Sequence, residues 1–361
     1  METYDVGSMP FEGDYEKFLK GAYNFISNHH DDSTVYFERK VVESFVDKLA
    51  VGFDIPNYPQ FRDMNTMFFD MMDGLERLKD GYIERELISI KNGRKVIPEV
   101  LAIERNSGEI YERIGEPFKV KICVTGPYTL SSFFVYRDPD IFRRSGEAIS
   151  TIVEESIFKN KYATVRIVAI DEPIFGLIDD PQIDTGSPGR TSLLNAWEKI
   201  CLTAAQKGAE TCMHLHNTAN ELFWQVNSLK IVESHVGDYL YISERTKKLL
   251  EKKDKRLKAS VCITIFDKLI ENSLLSKTTK TKDAEVTDRI SEVWTEIRQG
   301  RIDPKVFIEK TEIMKKRLRK IVQKFGQDRV IYSGPECGLR SFPTYDSGIE
   351  CLRRVSEASK I

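Results

Sequence analysis

The sequence predicts an α/β protein built as a single (β/α)8 TIM barrel with a β-hairpin inserted between strands 2 and 3. Three observations carry this expectation. Eight short apolar runs can be picked out, most of them running into polar or turn-forming residues. Amphipathic stretches at helical spacing lie between most of them. The length of 361 residues accommodates one barrel of ~250 residues with a large insertion. Strands alternating with helices argue for a parallel sheet, and eight such units favour a barrel over an open sheet. Length alone, at ~150 residues per domain, would suggest two domains. The insertion absorbs that difference, and residues 1–361 read as one domain.

The runs follow in order. Thr3–Ser8 is the first, and Val51–Ile55 precedes the turn-rich Pro56-Asn57-Tyr58-Pro59. Lys119–Thr125 stops at Gly126-Pro127, and Val165–Ile170 at Asp171-Glu172-Pro173. Thr211–His216 stops at Asn217, and Lys230–Val232 runs into Glu233-Ser234-His235. Ala259–Phe266 is β-branched and apolar, and Arg329–Tyr332 stops at Ser333-Gly334-Pro335. Helical spacing marks Thr34–Leu49, Asp140–Lys159, Leu193–Lys207 and Pro304–Phe325. Leu87–Ile114 breaks the rhythm, because Asn92-Gly93 between alternating runs is a strong hairpin signal. A second turn is expected at Asn106-Ser107-Gly108.

Composition narrows the class. Lys plus Arg number 54 against 56 Asp plus Glu, for a net charge of −2, without the overall basic footprint of a nucleic-acid binder. Hydrophobic residues at 41% support a core of ordinary size. No apolar run reaches the ~18 residues of a membrane span. Met1–Phe11 has acidic and no basic side chains, unlike a signal peptide. The six cysteines are sparse and fall mostly in strand-like runs, which fits a reducing cytoplasm better than a disulfide framework. Two basic runs, Arg245–Lys258 and Lys310–Lys324, read as solvated helix faces or, more sharply, as docking faces for an acidic partner.

Chemistry concentrates at the ends of the later strands. The chain has five histidines, and two of them stand in Cys212-Met213-His214-Leu215-His216. Alternation in a strand turns Cys212, His214 and His216 to one face. His214 and His216 lie nearest the C-terminal end, where barrels place catalytic groups. An isolated His-x-His is commonly just a hydrogen-bonded pair. Here, however, Asp171-Glu172, Glu233-Ser234-His235 and Cys337 end other strands converging on the same mouth. Imidazoles, a carboxylate and a thiolate together suit zinc. Cys123 and Cys262 lie inside strands, where a small buried hydrophobe is the default. Asp171-Glu172 can alternatively be a structural pair that caps the segment after it.

Five motifs then appear in a family's order. Val6-Gly7-Ser8-Met9-Pro10 resembles a Gly-Ser-Phe-Pro opening, and Gly52-Phe53-Asp54-Ile55-Pro56 with Gln60 and Arg62-Asp63-Met64 resembles a second-strand region. Thr125-Gly126-Pro127-Tyr128-Thr129-Leu130 resembles T-G-P-x-T, Ile170-Asp171-Glu172-Pro173 matches I-D-E-P, and Pro335-Glu336-Cys337-Gly338-Leu339-Arg340 resembles P-D-C-G-L-K. Together they resemble the C-terminal catalytic barrel of cobalamin-independent methionine synthase. The likeness is nearest to the short archaeal-type relatives that consist of that barrel.

The resemblance implies a zinc-dependent methyltransferase that moves a methyl group to the thiol of homocysteine to form methionine. The family's zinc is held by a His-x-Cys pair, a Glu and the Cys of the last motif. Carried over, the ligands are His214, His216, Glu233 and Cys337, with Glu244 as the fallback for the Glu. A shifted pair, Cys212 and His214, ranks lower because His216 fits the strand end better. The sequence departs from the family at His216. A neutral imidazole in place of a thiolate makes the site one unit more positive, which favours thiol deprotonation but leaves a less nucleophilic thiolate.

Asp171 is implied as the catalytic-site carboxylate that pairs with the substrate ammonium, with Gly7 and Ser8 holding the amino acid and Gln60 a further candidate. The full-length family enzyme carries an extra N-terminal barrel and uses a folate donor, and this length leaves no room for that barrel. Folate nitrogen must be protonated to leave, and Phe266–Leu275 lacks the His that the family carries there. The expected donor is therefore methylcobalamin-type, on a corrinoid carrier protein, rather than methyltetrahydrofolate. Alternatives are a zinc methyltransferase for another thiol, a metal-free barrel related to uroporphyrinogen decarboxylase, and a non-catalytic binding protein.

Overall fold

The computed structural model describes residues 1–27, 29–275 and 283–360. Seven strands form one curled parallel sheet in the order β1-β9-β8-β7-β6-β5-β4. They are β1 (Glu2–Thr3), β4 (Phe118–Thr125), β5 (Ala163–Glu172), β6 (Glu210–Leu215), β7 (Ile231–Glu233), β8 (Arg256–Cys262) and β9 (Val330–Pro335). β2 (Met72–Leu78) and β3 (Gly81–Ile90) form a separate antiparallel hairpin. Helices such as Ile141–Ser156, Pro188–Gln206, Thr311–Phe325 and Tyr345–Ser359 pack against the sheet. β4, β6 and β7 are buried nearly throughout, as expected for parallel strands covered on both faces.

The expected closed ladder of eight is not present. Val51–Ile55 is not a regular strand, and Thr3–Ser8 pairs as a ladder only at Glu2–Thr3. The sheet is therefore open between β1 and β4, and residues 55–60 cross the gap. Ile55 N–H donates to the Thr3 carbonyl (3.0 Å) and Gln60 N–H to the Gly7 carbonyl (3.2 Å). On the other side Lys121 N–H donates to the Pro56 carbonyl (2.9 Å) and Tyr58 N–H to the Lys121 carbonyl (3.2 Å). Pro56 and Pro59 lack the N–H a ladder needs, so the segment bonds to both edges without becoming a strand. Gly7, at φ +142°, ends the extended run that begins at β1.

The insertion also differs from expectation. The hairpin lies at 72–90, ahead of the predicted 87–114, and Asn92-Gly93 forms a turn after it rather than its apex. The Asn106-Ser107-Gly108 turn is instead the joint between helices Pro98–Arg105 and Ser107–Ile114. Pro98 occupies the first helical turn, where its fixed φ favours a helix and its missing N–H costs nothing. β2 is largely exposed and carries no apolar alternation, so it left no strand signal. The hairpin is held at Tyr82, whose N–H and carbonyl bond Phe133 and Val135 and whose ring stacks on Phe69 at 4.1 Å.

The two basic runs resolve differently. Arg245–Lys258 is not one helical face: it spans helix Glu244–Lys252 and enters β8, with Lys255 buried just before the strand and Lys258 buried in it. Lys255 Nζ donates to the carbonyls of Val226 and Leu229, both at 2.6 Å. Lys310–Lys324 is the amphipathic helix Thr311–Phe325, with Met314, Leu318, Ile321 and Phe325 buried. Among the described residues no helix is long and apolar enough to cross a membrane.

Candidate metal centre

Two parallel ladders joining three strands set the first row of the site. Asp171 on β5 is the register partner of His214 on β6, and His214 is the partner of Glu233 on β7. Side chains of neighbouring strands at one register point the same way, so these three stand side by side. Two residues further along, past the strand ends, the same alternation brings His216 and His235 together, with ring centroids 4.1 Å apart. The loop after β9 adds Cys337, whose Sγ lies 3.5 Å from His216 Nε2.

His214, His216, His235 and Cys337 each offer one ligand atom, and these atoms lie within 4.8 Å of one another. Tetrahedral zinc holds its ligand atoms roughly 3.3–3.8 Å apart, given bonds of 2.0–2.3 Å. His214 Nε2 and His235 Nε2 are buried and have no hydrogen-bond partner. Orphaned buried nitrogens around one point, together with a thiol, are what an ion would satisfy. The residues therefore fit zinc, and they differ from the expected set in having His235 where Glu233 was expected. His235 is two residues beyond Glu233 on the same face, a signal that period-2 alternation carries.

Glu233 lies beneath the group. Its Oε2 is 2.9 Å from Lys258 Nζ and its Oε1 is 3.3 Å from His214 Nδ1, all three residues being buried. Burial opposes its charge, but Lys258, His214 and Lys121 hold its carboxyl well below the usual range. A carboxylate on one ring nitrogen of a histidine fixes the ring and leaves the other nitrogen for an ion. Lys258 also donates to the Pro335 carbonyl at 2.6 Å, tying β8 to the loop that bears Cys337. The inward Lys121 and Lys258 are signalled in the sequence only as lone charges inside apolar runs. Glu244 is exposed and pairs with Lys324 at 3.1 Å, away from this row. Cys212 points deeper, with its Sγ 3.4 Å from the Tyr4 hydroxyl, and its thiol is pushed well up by burial.

Electrostatics separates the three histidines. Burial and the neighbouring His214 charge pull His216 down to about 2 and His235 down to about 3, so both are neutral near pH 7, as metal ligands must be. Burial also opposes charge on His214, but Cys337 and Glu233 hold it up at about 10.

The cleft over this group, about 510 Å³ including its open mouth, is lined by Ser8, Gln60, Asp171, His214, His216 and Cys337, with Arg62 and Arg340 among the remainder. Asp171 Oδ1 has no hydrogen-bond partner. Burial pushes the Asp171 carboxyl up to about 6, against the pull of Lys121 and His214. Ser8 packs against Gly338, where any Cβ would meet the Ser8 hydroxyl, and the Ser8 carbonyl accepts from Leu339 N–H at 2.8 Å. Gly7 stands behind Ser8, with Asn57 filling the space a Cβ would need. Gln60 Nε2 donates to the Tyr58 hydroxyl at 3.3 Å.

Glu172 has a different occupation. It accepts from Tyr128 N–H (2.9 Å), Thr129 N–H (2.7 Å), the Thr129 hydroxyl (2.7 Å) and Trp197 Nε1–H (2.7 Å). It caps the segment after β4, while its neighbour Asp171 faces the cleft.

No family model matches the chain, and no curated protein matches it in sequence. Solved structures do match in fold. A B12-independent methionine synthase from a Shewanella species, in complex with selenomethionine, superposes with a TM-score of 0.61 at 14% identity, covering 98% of this chain and 96% of that one. A putative vitamin-B12-independent methionine synthase from Listeria monocytogenes gives 0.55 at 14% identity, covering 99% and 98%. A methyltransferase from Methanosarcina mazei gives 0.52 at 13% identity, covering 99% and 94%. At such identities the likeness is one of fold.

Proposed function

We propose that this chain is a zinc-dependent methyltransferase that moves a methyl group onto the thiol of homocysteine, forming methionine. The observation that carries the reading is the convergence of three imidazoles and a thiol within 4.8 Å, of which His214, His216 and Cys337 line a cleft that also holds Asp171. The fold shared with methionine synthases and a methyltransferase supports the same reaction class.

In this reading His214, His216, His235 and Cys337 hold the ion, and Glu233, braced by Lys258, fixes the His214 ring. Bound there, zinc supplies the Lewis acidity that lowers a substrate thiol's pKa towards neutrality. Asp171 pairs with the substrate ammonium. Ser8, supported by Gly7 and Gly338, and Gln60 bound the amino-acid end. The cleft walls hold the sulfur for in-line attack on the donor methyl. The donor is a methylcorrinoid, presented by a carrier protein, since a methylated corrinoid leaves without a proton whereas folate requires an acid.

The test uses protein purified without chelators. Elemental analysis is expected to find one zinc per chain, lost in Cys337→Ser. Incubation with homocysteine and methylcobalamin is expected to yield methionine by mass spectrometry. Absence of bound metal, or methionine formed from methyltetrahydrofolate with no corrinoid present, would overturn the zinc or the donor assignment respectively.

A further inference from the structure

Arg62 lines the cleft and is held there by a bidentate ion pair. Its Nε and Nη2 donate to the two carboxylate oxygens of Glu99, each at 2.7 Å. Glu99 is fully buried and the Arg62 side chain is only 10% exposed. Glu99 comes from the first turn of helix Pro98–Arg105, so the insertion supplies the brace. A guanidinium has two edges that match a carboxylate. Glu99 takes the edge made by Nε and Nη2. Nη1, on the other edge, donates to no protein atom among the described residues.

The rest of the cleft is consistent with an anionic visitor. Arg340, three residues after Cys337, is half-exposed on the same cleft, with Nη1 4.0 Å from Asp63 Oδ2. Asp171 is the acidic group in the cleft lining.

We infer that Arg62, braced by Glu99, receives the acidic group of the substrate, so the thiols this protein accepts carry a carboxylate or a comparable anion. The inference rests on the reading of the metal centre as a thiol site. It makes Arg62 a specificity residue, and it gives the insertion a function beyond packing, because the insertion sets the orientation of the residue that selects the substrate.

Calorimetry on the zinc-loaded protein with two matched probes tests it. 3-Mercaptopropionate carries the acid, and 3-mercaptopropanol is its neutral counterpart. The wild type is expected to bind the acid about tenfold or more tighter, the usual worth of a charge-assisted hydrogen bond. Arg62→Lys keeps a cation for Glu99 but loses the second edge; it should cut that ratio to about threefold or less and leave the affinity for the alcohol unchanged. Equal binding of the two probes by the wild type overturns the inference without using any variant. So does a preference that survives Arg62→Lys and is lost in Arg340→Met, which would assign it to the exposed rim charge. If neither probe binds to protein that retains its zinc, the thiol-site reading itself fails.

Discussion

Asp171 presents an unpartnered oxygen to the cleft, and burial raises its carboxyl to about 6. Above that pH it is ionised and can pair with an ammonium group; below it the charge, and the pairing, are lost. KM for homocysteine is therefore expected to climb as pH falls through about 6, and Asp171→Asn should have a raised KM with that acid limb flattened. A pH series of initial rates checks both. Glu233 makes a separate prediction. Glu233→Gln keeps the shape but weakens the contact to His214 Nδ1, and partners of this kind typically change metal affinity about 10–100-fold. Competition with a chromogenic chelator should show a loss in that range. At this scale most of the site was legible, because His214, His216, Asp171 and Cys337 all sit where strands end. His235 was not among the expected ligands, which took Glu233 with Glu244 as the fallback. Glu233 ends β7 and His235 follows two residues past it, and the register with His214 and the reach of Lys258 set Glu233 beneath the group.

Elements were legible where the chain advertises them twice, by an apolar run and by a stop. β4, β5, β6, β7 and β9 have both, and β8 has the apolar run. The second-strand position has the run and the stop, yet Pro56 and Pro59 remove the donors that would make it a strand. The hairpin was legible in kind but not in place, since its first strand is exposed and gives no alternation. One loop depends on a single buried side chain. Glu172 satisfies four donors from the segment after β4 and from Trp197. Glu172→Gln replaces an acceptor oxygen with a donor and leaves buried N–H groups unpaired, at about 1–3 kcal/mol. Urea unfolding should show that loss while zinc content stays at the wild-type level, which would separate this capping carboxylate from the cleft carboxylate beside it.

For the molecule as a whole, the fold-level likeness to methionine synthases spans 98% of the chain for the Shewanella protein, and among the described residues one group of histidines and a cysteine could hold a metal ion. The insertion is part of that whole: its hairpin is fastened at Tyr82, and its helix supplies Glu99 to brace Arg62. The gap between β1 and β4 has a consequence for how the molecule breathes. Elsewhere the wall is a continuous ladder, but here residues 55–60 are stitched by isolated main-chain bonds on either side. Such a seam is where sub-global opening should begin. Amide hydrogen exchange is expected to be faster at Ile55, Tyr58 and Gln60 than at Cys212 or Met213 in the middle of β6. Because Ser8 and Gln60 flank the seam and line the cleft, a ligand bridging them would act as a latch, and slower exchange at these amides would report occupancy without any assay of turnover.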